Sequence, residues 1–415
     1  MASPYSCLWR MGILALVLFQ VQSSNPVRAR AEGFTLDSCL ARAVGGNPTL
    51  RAADRDVDAA RARLRQAGAL EAPSITYEVG KLGTRISSEE REAALRVSQD
   101  FPPLGARGRA IRAARADLGI AVSDRESFVL QLRGDVTRAY RRLQADEAGL
   151  RTLLSLRNTA ADLEQMVSTR LRAGGARYLD VLRARSERVR IENDLIEAER
   201  GRREDRRTLN TLMARTLDSP LEPTDTLRFV ALTDSLPAIL DRARATRPRL
   251  RGARLAVERG EAQIAQTQAA LRPAPSLSAG LDRVPGVDRP GFGGQVSLSL
   301  PFAPWTDRRA RLGESRAAKG GAEARLEATE RELEARLGNA YEAARSAEAL
   351  VRQFDRFLLA DASDAIRTAI QNYQTGQIDG LELFETLRTM RTIQLEHVRA
   401  LLNHELALTD LAVAE

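Results

Sequence analysis

Polar and apolar residues alternate along this chain with two different periods. In the long stretches rich in Ala, Arg, Glu and Leu, apolar residues recur three, four or seven positions apart, as at Val129, Leu132, Val136 and Leu143. Such heptad-like spacing draws an apolar seam along a helix, which then packs beside other helices with slight supercoiling. Two such stretches run from about 105 to 172 and from about 306 to 374. At 1.5 Å per residue each would be about 100 Å long, so each must lie along other long helices.

Four shorter segments alternate with period two, at about 74–81, 93–101, 276–283 and 292–301. Ile75, Tyr77 and Val79, for example, are separated by polar residues. This alternation predicts strands that face two environments, as in a transmembrane barrel with lipid outside and a wet lumen inside. A soluble sheet packed on a core alternates in the same way. Four strands cannot enclose an interior, so a barrel requires strands from several chains.

The two kinds of element occur twice, in the same order. Asn47-Pro48 is matched by Arg247-Pro248, and the later turn and strand markers repeat at offsets of 199 to 202 residues. A fixed period of this kind indicates a tandem duplication. We therefore predict a first repeat at 32–230 and a second at 231–415. The fold class expected is mainly α with a small β part: long antiparallel coiled-coil helices plus four strands.

The N-terminus carries features of a secretory signal peptide, which we place at residues 1–31. Arg10 precedes an apolar run over 11–19, and Ala29-Arg30-Ala31 offers small residues for cleavage. The run is shorter than the roughly 20 residues that span a bilayer. A short buried helix is the alternative. Lipidation is not expected, because Cys39 follows Asp37-Ser38 and not an apolar lipobox.

Composition and charge argue against several classes of function. The net charge is +8, but Arg and Glu are interspersed and only 4% of residues are aromatic, so no nucleic acid partner is expected. The chain lacks a phosphate-binding Gly-rich loop, a His-Glu-x-x-His motif and a Cys-x-x-Cys motif. His397 and His404 are the only histidines, and a metal site would need further ligands. We expect no enzyme activity, no cofactor and no resident metal.

The repeated pattern resembles the TolC family of outer-membrane factors. The likeness rests on the opening segment from Leu36 to Ala43, on Asn47-Pro48, on the turn Tyr373-Gln374-Thr375-Gly376, and on the Leu-rich final helix. The segment Glu78-Val79-Gly80 is most similar to the heavy-metal efflux branch. The sequence departs from that branch at Ala303-Pro304-Trp305.

This resemblance implies a passive exit duct in the cell outer membrane, with most of the chain in the periplasm. It implies a homotrimer whose twelve strands form one β-barrel in outer-membrane lipid and whose long helices form an α-barrel across the periplasm. It also implies a periplasmic adaptor (a membrane fusion protein) and an inner-membrane pump of the RND type. Heavy-metal cations are the substrate suggested by the branch. A duct for drugs or for type I protein secretion is an alternative, and a secreted coiled-coil scaffold is an alternative of another class.

The resemblance also assigns roles to the two turns between long and returning helices. These turns are expected to dock the adaptor through Gly174, Gly175, Leu179, Gly376, Gly380 and Leu381. Glycines that only permit a tight turn between helices would give the same sequence pattern. The acidic residues beyond the turns, Asp180, Glu382 and Glu385, are expected to line the periplasmic aperture. Threefold symmetry would make each of them a ring, and acidic rings favour cations.

Overall fold

The structure is a computed structural model, and it describes residues 32–81, 91–283, 290–300 and 305–414. The signal peptide expected at 1–31 lies outside these residues, as do most of the two loops that connect the paired strands. Within them, the chain consists of long helices and a few short strands.

The first repeat begins with a short strand and ends near the middle of the chain. Its elements are β1 (Glu32–Phe34), α1 (Leu36–Gly46), α2 (Pro48–Ala67), β2 (Ser74–Lys81), β3 (Arg91–Asp100), α3 (Ala106–Arg172), α4 (Tyr178–Leu212) and β4 (Leu221–Pro223). At 67 residues, α3 is about 100 Å long. β1 and β4 pair in parallel, which ties the start of this repeat to its end.

The second repeat has the same order of helices and long strands. Its elements are α5 (Leu236–Thr246), α6 (Pro248–Ala270), β5 (Ala274–Arg283), β6 (Gly291–Ser299), α7 (Trp305–Gln353), α8 (Leu359–Thr375) and α9 (Gly380–Ala414). One turn of π-helix, Phe354–Leu358, joins α7 to α8. The sequence predicted one regular helix there, so this π-turn is a difference from expectation.

The break between α1 and α2 is fixed by Asn47 and Pro48. The Asn47 side-chain oxygen accepts hydrogen bonds from the backbone N–H groups of Thr49 (2.9 Å) and Leu50 (3.3 Å), and its Nδ2 donates to the carbonyl of Leu212 (3.1 Å). Asparagine is a strong helix N-cap, and proline suits the first helical position. In the second repeat Arg247 occupies the matching place, and α6 has no side-chain cap.

The hydrophobic core is drawn out along the helices and not gathered in one centre. One cluster joins α3, α4, α8 and α9, with Leu156, Ile191 and Leu387 almost fully buried. Two further clusters lie where α1 packs on α3 and where α5 packs on α7. No helix among the described residues has a stretch that is long and apolar enough to cross a membrane.

The four longer strands form a single antiparallel sheet in the order β2-β3-β5-β6. Tyr77 pairs with Leu95, which pairs with Leu281, which pairs with Phe292, so these apolar side chains share one face. That apolar face is uncovered by the rest of the described chain. Phe292 is 78% exposed and Tyr77 67% exposed. The other face is polar, with Ser74 hydrogen-bonded to Ser98 at 2.9 Å.

Candidate functional site

The two turns identified from the sequence lie together at one end of the helices. The first joins α3 to α4 and the second joins α8 to α9. The guanidinium of Arg170 lies 4.9 Å from the centre of the Tyr373 ring and also donates to the Tyr373 carbonyl. Arg177 Nη2 lies 3.3 Å from a carboxylate oxygen of Asp379. Each repeat therefore contributes one turn to a single paired structure, which we call the paired turns.

Backbone conformation explains the glycines in the turns. Gly174 has φ +77° and Gly376 has φ +81°, which is the left-handed region that side chains with a Cβ rarely enter. Each helix end is closed by a backbone hydrogen bond: Gly175 N–H donates to Arg170 (2.8 Å), and Gln377 N–H donates to Asn372 (2.8 Å). This is the Schellman pattern of helix termination.

Gly380 is required by a close approach between the two repeats. A Cβ at this position would lie 2.6 Å from Oδ1 of Asp180, too close for any side chain without a shift. Asp180 itself is only 3% exposed. Its Oδ2 accepts from the backbone N–H of Arg177 at 3.2 Å, and Oδ1 lies 3.3 Å from Arg183 Nη1. The start of α9 therefore packs directly on the Asp180 carboxylate of α4, which Arg177 and Arg183 hold in place.

The three acidic residues expected at an aperture occupy different environments. Asp180 is buried and held by Arg177 and Arg183, whereas Glu382 and Glu385 are exposed on α9. Glu385 pairs with Arg388 of the same helix at 2.6 Å. The assignment of these acids to an aperture stays a prediction. Of the three acids, Glu382 and Glu385 are the two with exposed side chains.

Apolar side chains also project from the paired turns. Leu179 is 48% exposed and Leu381 is 46% exposed, and the two hold matching positions in the repeats. Tyr178, next to Leu179, is 69% exposed. Exposed large apolar residues beside the two turns give a surface on which another protein can bury area. Their role in docking an adaptor likewise stays a prediction.

Asp379 was not recognised from the sequence as part of this site. Its Oδ1 accepts a hydrogen bond from the backbone N–H of Glu382 at 3.1 Å, so it caps α9. That bond, together with Arg177 and Arg183, holds the pKa of Asp379 below its ordinary value. A signal was present, because an Asp three positions before a Glu is the pattern of a capping box.

A buried ionic cluster joins α4 to α9 above the paired turns. Glu187 is fully buried, and its carboxylate lies 2.9 Å from Arg388, 3.3 Å from Arg391 and 3.6 Å from Arg190. We call these four residues the Glu187 cluster. Nothing in the sequence distinguished Glu187 from the many glutamates that are exposed on the same helices. Through Arg388 the cluster also reaches Glu385.

The two histidines already have protein partners. His397 Nε2 lies 3.0 Å from Asp355, and His404 Nε2 lies 2.8 Å from the carbonyl of Val230. Within the described ranges, no three His, Cys, Asp or Glu residues are grouped so that they could hold a metal ion.

Comparisons with known proteins agree with this architecture. A family model described as "Outer membrane efflux protein" matches residues 39–215 and 239–414. Of the solved structures, the outer-membrane channel OprN is 21% identical, with 99% of this chain and 98% of that chain covered and a TM-score of 0.79. CusC, described as forming a transmembrane channel, is 18% identical over 93% of each chain with a TM-score of 0.79.

VceC, an outer membrane protein of Vibrio cholerae, is 17% identical, with 91% of this chain and 96% of that chain covered and a TM-score of 0.78. No protein of curated function matches the chain significantly. At these identities the solved structures establish a shared fold. The family model covers most of the chain in two matching blocks, so the chain belongs to the outer membrane efflux protein family.

Proposed function

We propose that this chain is the outer-membrane exit duct of a tripartite efflux system and performs no chemistry itself. Three copies form the duct, a periplasmic adaptor docks at the paired turns, and an RND-type inner-membrane pump supplies the energy. Most of the chain lies in the periplasm. Heavy-metal cations are the proposed substrate class.

The uncovered apolar face of the four-stranded sheet is the observation that carries this proposal. Val296 is 80% exposed and Ile75 is 73% exposed, in a sheet whose opposite face is polar. A contiguous face of large exposed apolar side chains is rarely left in water. Lipid on one face and water on the other would suit both faces, and three such sheets would supply the twelve strands of a closed barrel.

The charges next to the sheet support the same placement. Arg112 and Arg115 in the first turns of α3, and Arg308 and Arg309 in the first turns of α7, are exposed. Among the described residues none of these four has a carboxylate partner. Arginines at the edge of an apolar band can reach lipid phosphates, which attract them by about 1 kcal/mol each. We assign them to the periplasmic surface of the membrane.

Membrane placement is tested with two arginine substitutions on opposite faces of β6. Val296→Arg puts a charge on the apolar face, where arginine near the bilayer midplane costs about 2–4 kcal/mol. The neighbouring Ser297→Arg puts the same charge on the polar face and serves as the control. We expect heat-stable trimers in outer-membrane fractions for the unaltered protein and for Ser297→Arg, and fewer trimers for Val296→Arg. An unaltered chain recovered as a soluble periplasmic monomer would refute the duct.

The aperture assignment is tested by ion conductance. Replacing both Glu382 and Glu385 with alanine should raise the passive ion leak and lower the preference for cations, because two acidic rings disappear. Asp364→Ala, which removes an exposed α8 carboxylate paired with Arg367 at 2.7 Å, is the matched control. Unchanged conductance and selectivity in the double variant would reject the aperture assignment.

Substrate class is tested in cells that lack the gene for this chain. Sensitivity confined to metal salts supports metal cations as the cargo. Sensitivity confined to drugs, or the loss of a secreted protein, would replace that cargo with one of the alternatives while leaving the duct in place.

A further inference from the structure

A cavity of about 280 Å³ lies where the start of α6 meets the end of α9, beside α7. Leu250, Leu333, Ala340 and Val413 supply apolar walls. The smallest ligand pockets in proteins measure about 300 Å³. This cavity is close to that lower limit, so it suits a small molecule of roughly ten non-hydrogen atoms. All of its walls belong to one chain, so it does not depend on assembly.

The charged residues at the cavity do not balance. Arg249 and Arg336 both pair with Glu332, at 3.0 and 2.5 Å, one on each carboxylate oxygen. The acid on the α9 side, Asp410, pairs with Arg138 at 2.6 Å. Arg247 is left over. Within the described part of the chain it has no ion pair, and its Nη1 is buried without a hydrogen-bond partner.

The side chain of Arg247 is partly buried, and its buried Nη1 has lost hydrogen bonds to water without gaining a protein partner, which carries a free-energy cost. Burial, and then the like charges of Arg336 and Arg249, lower the pKa of Arg247. The last turn of α9 also borders the cavity through Val413 and Ala414. Helix C-terminal carbonyls favour a nearby cation, but none of them accepts a hydrogen bond from Nη1.

The first repeat provides an internal comparison. Asn47 occupies the matching position there, caps α2 and donates to Leu212 at the end of α4. In the second repeat the same junction has an arginine, no side-chain cap on α6 and an open cavity. The duplicated fold therefore needs only a neutral cap at this junction, and the second repeat has an extra positive charge instead.

We propose that this cavity binds a small organic carboxylate with a short apolar chain, in which Arg247 pairs with the carboxylate and the apolar walls cover the chain. A guanidinium matches a carboxylate with two parallel hydrogen bonds. A monoanion neutralises the charge of Arg247, and the carboxylate can also accept from the uncapped N–H groups at the start of α6. Octanoate, with about ten non-hydrogen atoms, has the chemistry and size for this site.

The test measures octanoate binding by calorimetry to the full-length protein, kept in an amphipathic polymer without free detergent. We expect one saturable site per chain. Arg247→Asn, which installs the residue of the first repeat, should weaken binding at least tenfold. Arg254→Asn removes an exposed arginine of the same helix outside the cavity and should leave binding unchanged. Octanamide, which is neutral, should not bind measurably.

A second variant tests the same cavity independently of whether Arg247→Asn folds correctly. Ala340→Phe fills the cavity without changing charge and should also abolish binding. Equal octanoate binding by the unaltered protein and Arg247→Asn would overturn the proposal, because the molecule would then be partitioning into polymer or apolar surface. Equal binding of octanamide, or no saturable site, would also overturn it.

Discussion

The Glu187 cluster predicts that a single neutral substitution in it lowers the stability of the protein. Replacing Glu187 with glutamine keeps the volume of the side chain but removes the buried negative charge shared by Arg388, Arg391 and Arg190. Removing one partner of a buried ion pair costs about 3–5 kcal/mol, because the opposite charge stays buried and unpaired. The cluster is also the main polar contact between α4 of one repeat and α9 of the other.

The exposure of the arginines reduces this cost. The side chains of Arg388 and Arg391 are 33% and 20% exposed, so they can turn partly toward water. Arg388 also keeps Glu385, and Arg391 keeps Asp194 at 3.4 Å. We therefore expect Glu187→Gln to lower the free energy of unfolding by about 2–3 kcal/mol, at or just below the lower limit of the range for broken buried pairs.

Glu192→Gln on the same helix is the matched control. Glu192 is 41% exposed and has one partner, Arg188, at 2.5 Å. Such surface pairs contribute about 0–1 kcal/mol. The assay is the thermal unfolding midpoint of the purified protein, supported by single-channel conductance. Glu187→Gln should lower the midpoint by several degrees more than the control does. Equal midpoints for the two variants would show that the buried cluster adds no stability, and the reasoning would fail.

Three further predictions concern other parts of the chain. Gly380→Ala places a Cβ against Asp180 and should lower the free energy of unfolding by about 1–3 kcal/mol. At the control Gly338→Ala, the added Cβ meets no atom within 4 Å, so this variant should not destabilise the protein. Similar unfolding midpoints for the two variants would contradict the close approach. Burial raises the pKa of Asp146 from 3.8 to about 7, so the folded state holds a proton that the unfolded state releases, and stability falls as pH rises from about 4 to 7. Asp146→Asn should remove that fall in stability, and the thermal unfolding midpoints of both proteins at pH 5 and pH 8 measure it. The same change in midpoint for the unaltered protein and the variant would contradict the prediction. Burial also raises the pKa of Cys39 to about 11, so iodoacetamide should label the native thiol at pH 8 far more slowly than the denatured one, and equal rates would contradict this.

Periodic features were predictable from the sequence, and single contacts between the repeats were not. The four strands and the long helices repeat their apolar spacing over many residues, so their patterns outweigh local exceptions. Glu187 and Glu192 look alike in the sequence, and only the packing of α4 on α9 buries one and exposes the other. The link between Arg177 and Asp379 spans about 200 residues of chain, and its geometry depends on the tertiary fold.

The π-turn at Phe354–Leu358 shows how the second repeat absorbed a change in length. Before it, the buried positions Leu143 and Leu150 match Ala344 and Val351 at an offset of 201, and after it Ala160 matches Ala362 at 202. One added residue in a regular α-helix would rotate everything beyond it by about 100°. A π-turn accommodates a single extra residue locally. The extra residue in the second repeat thus leaves α8 with its apolar side facing the core, and both repeats reach the same end of the molecule.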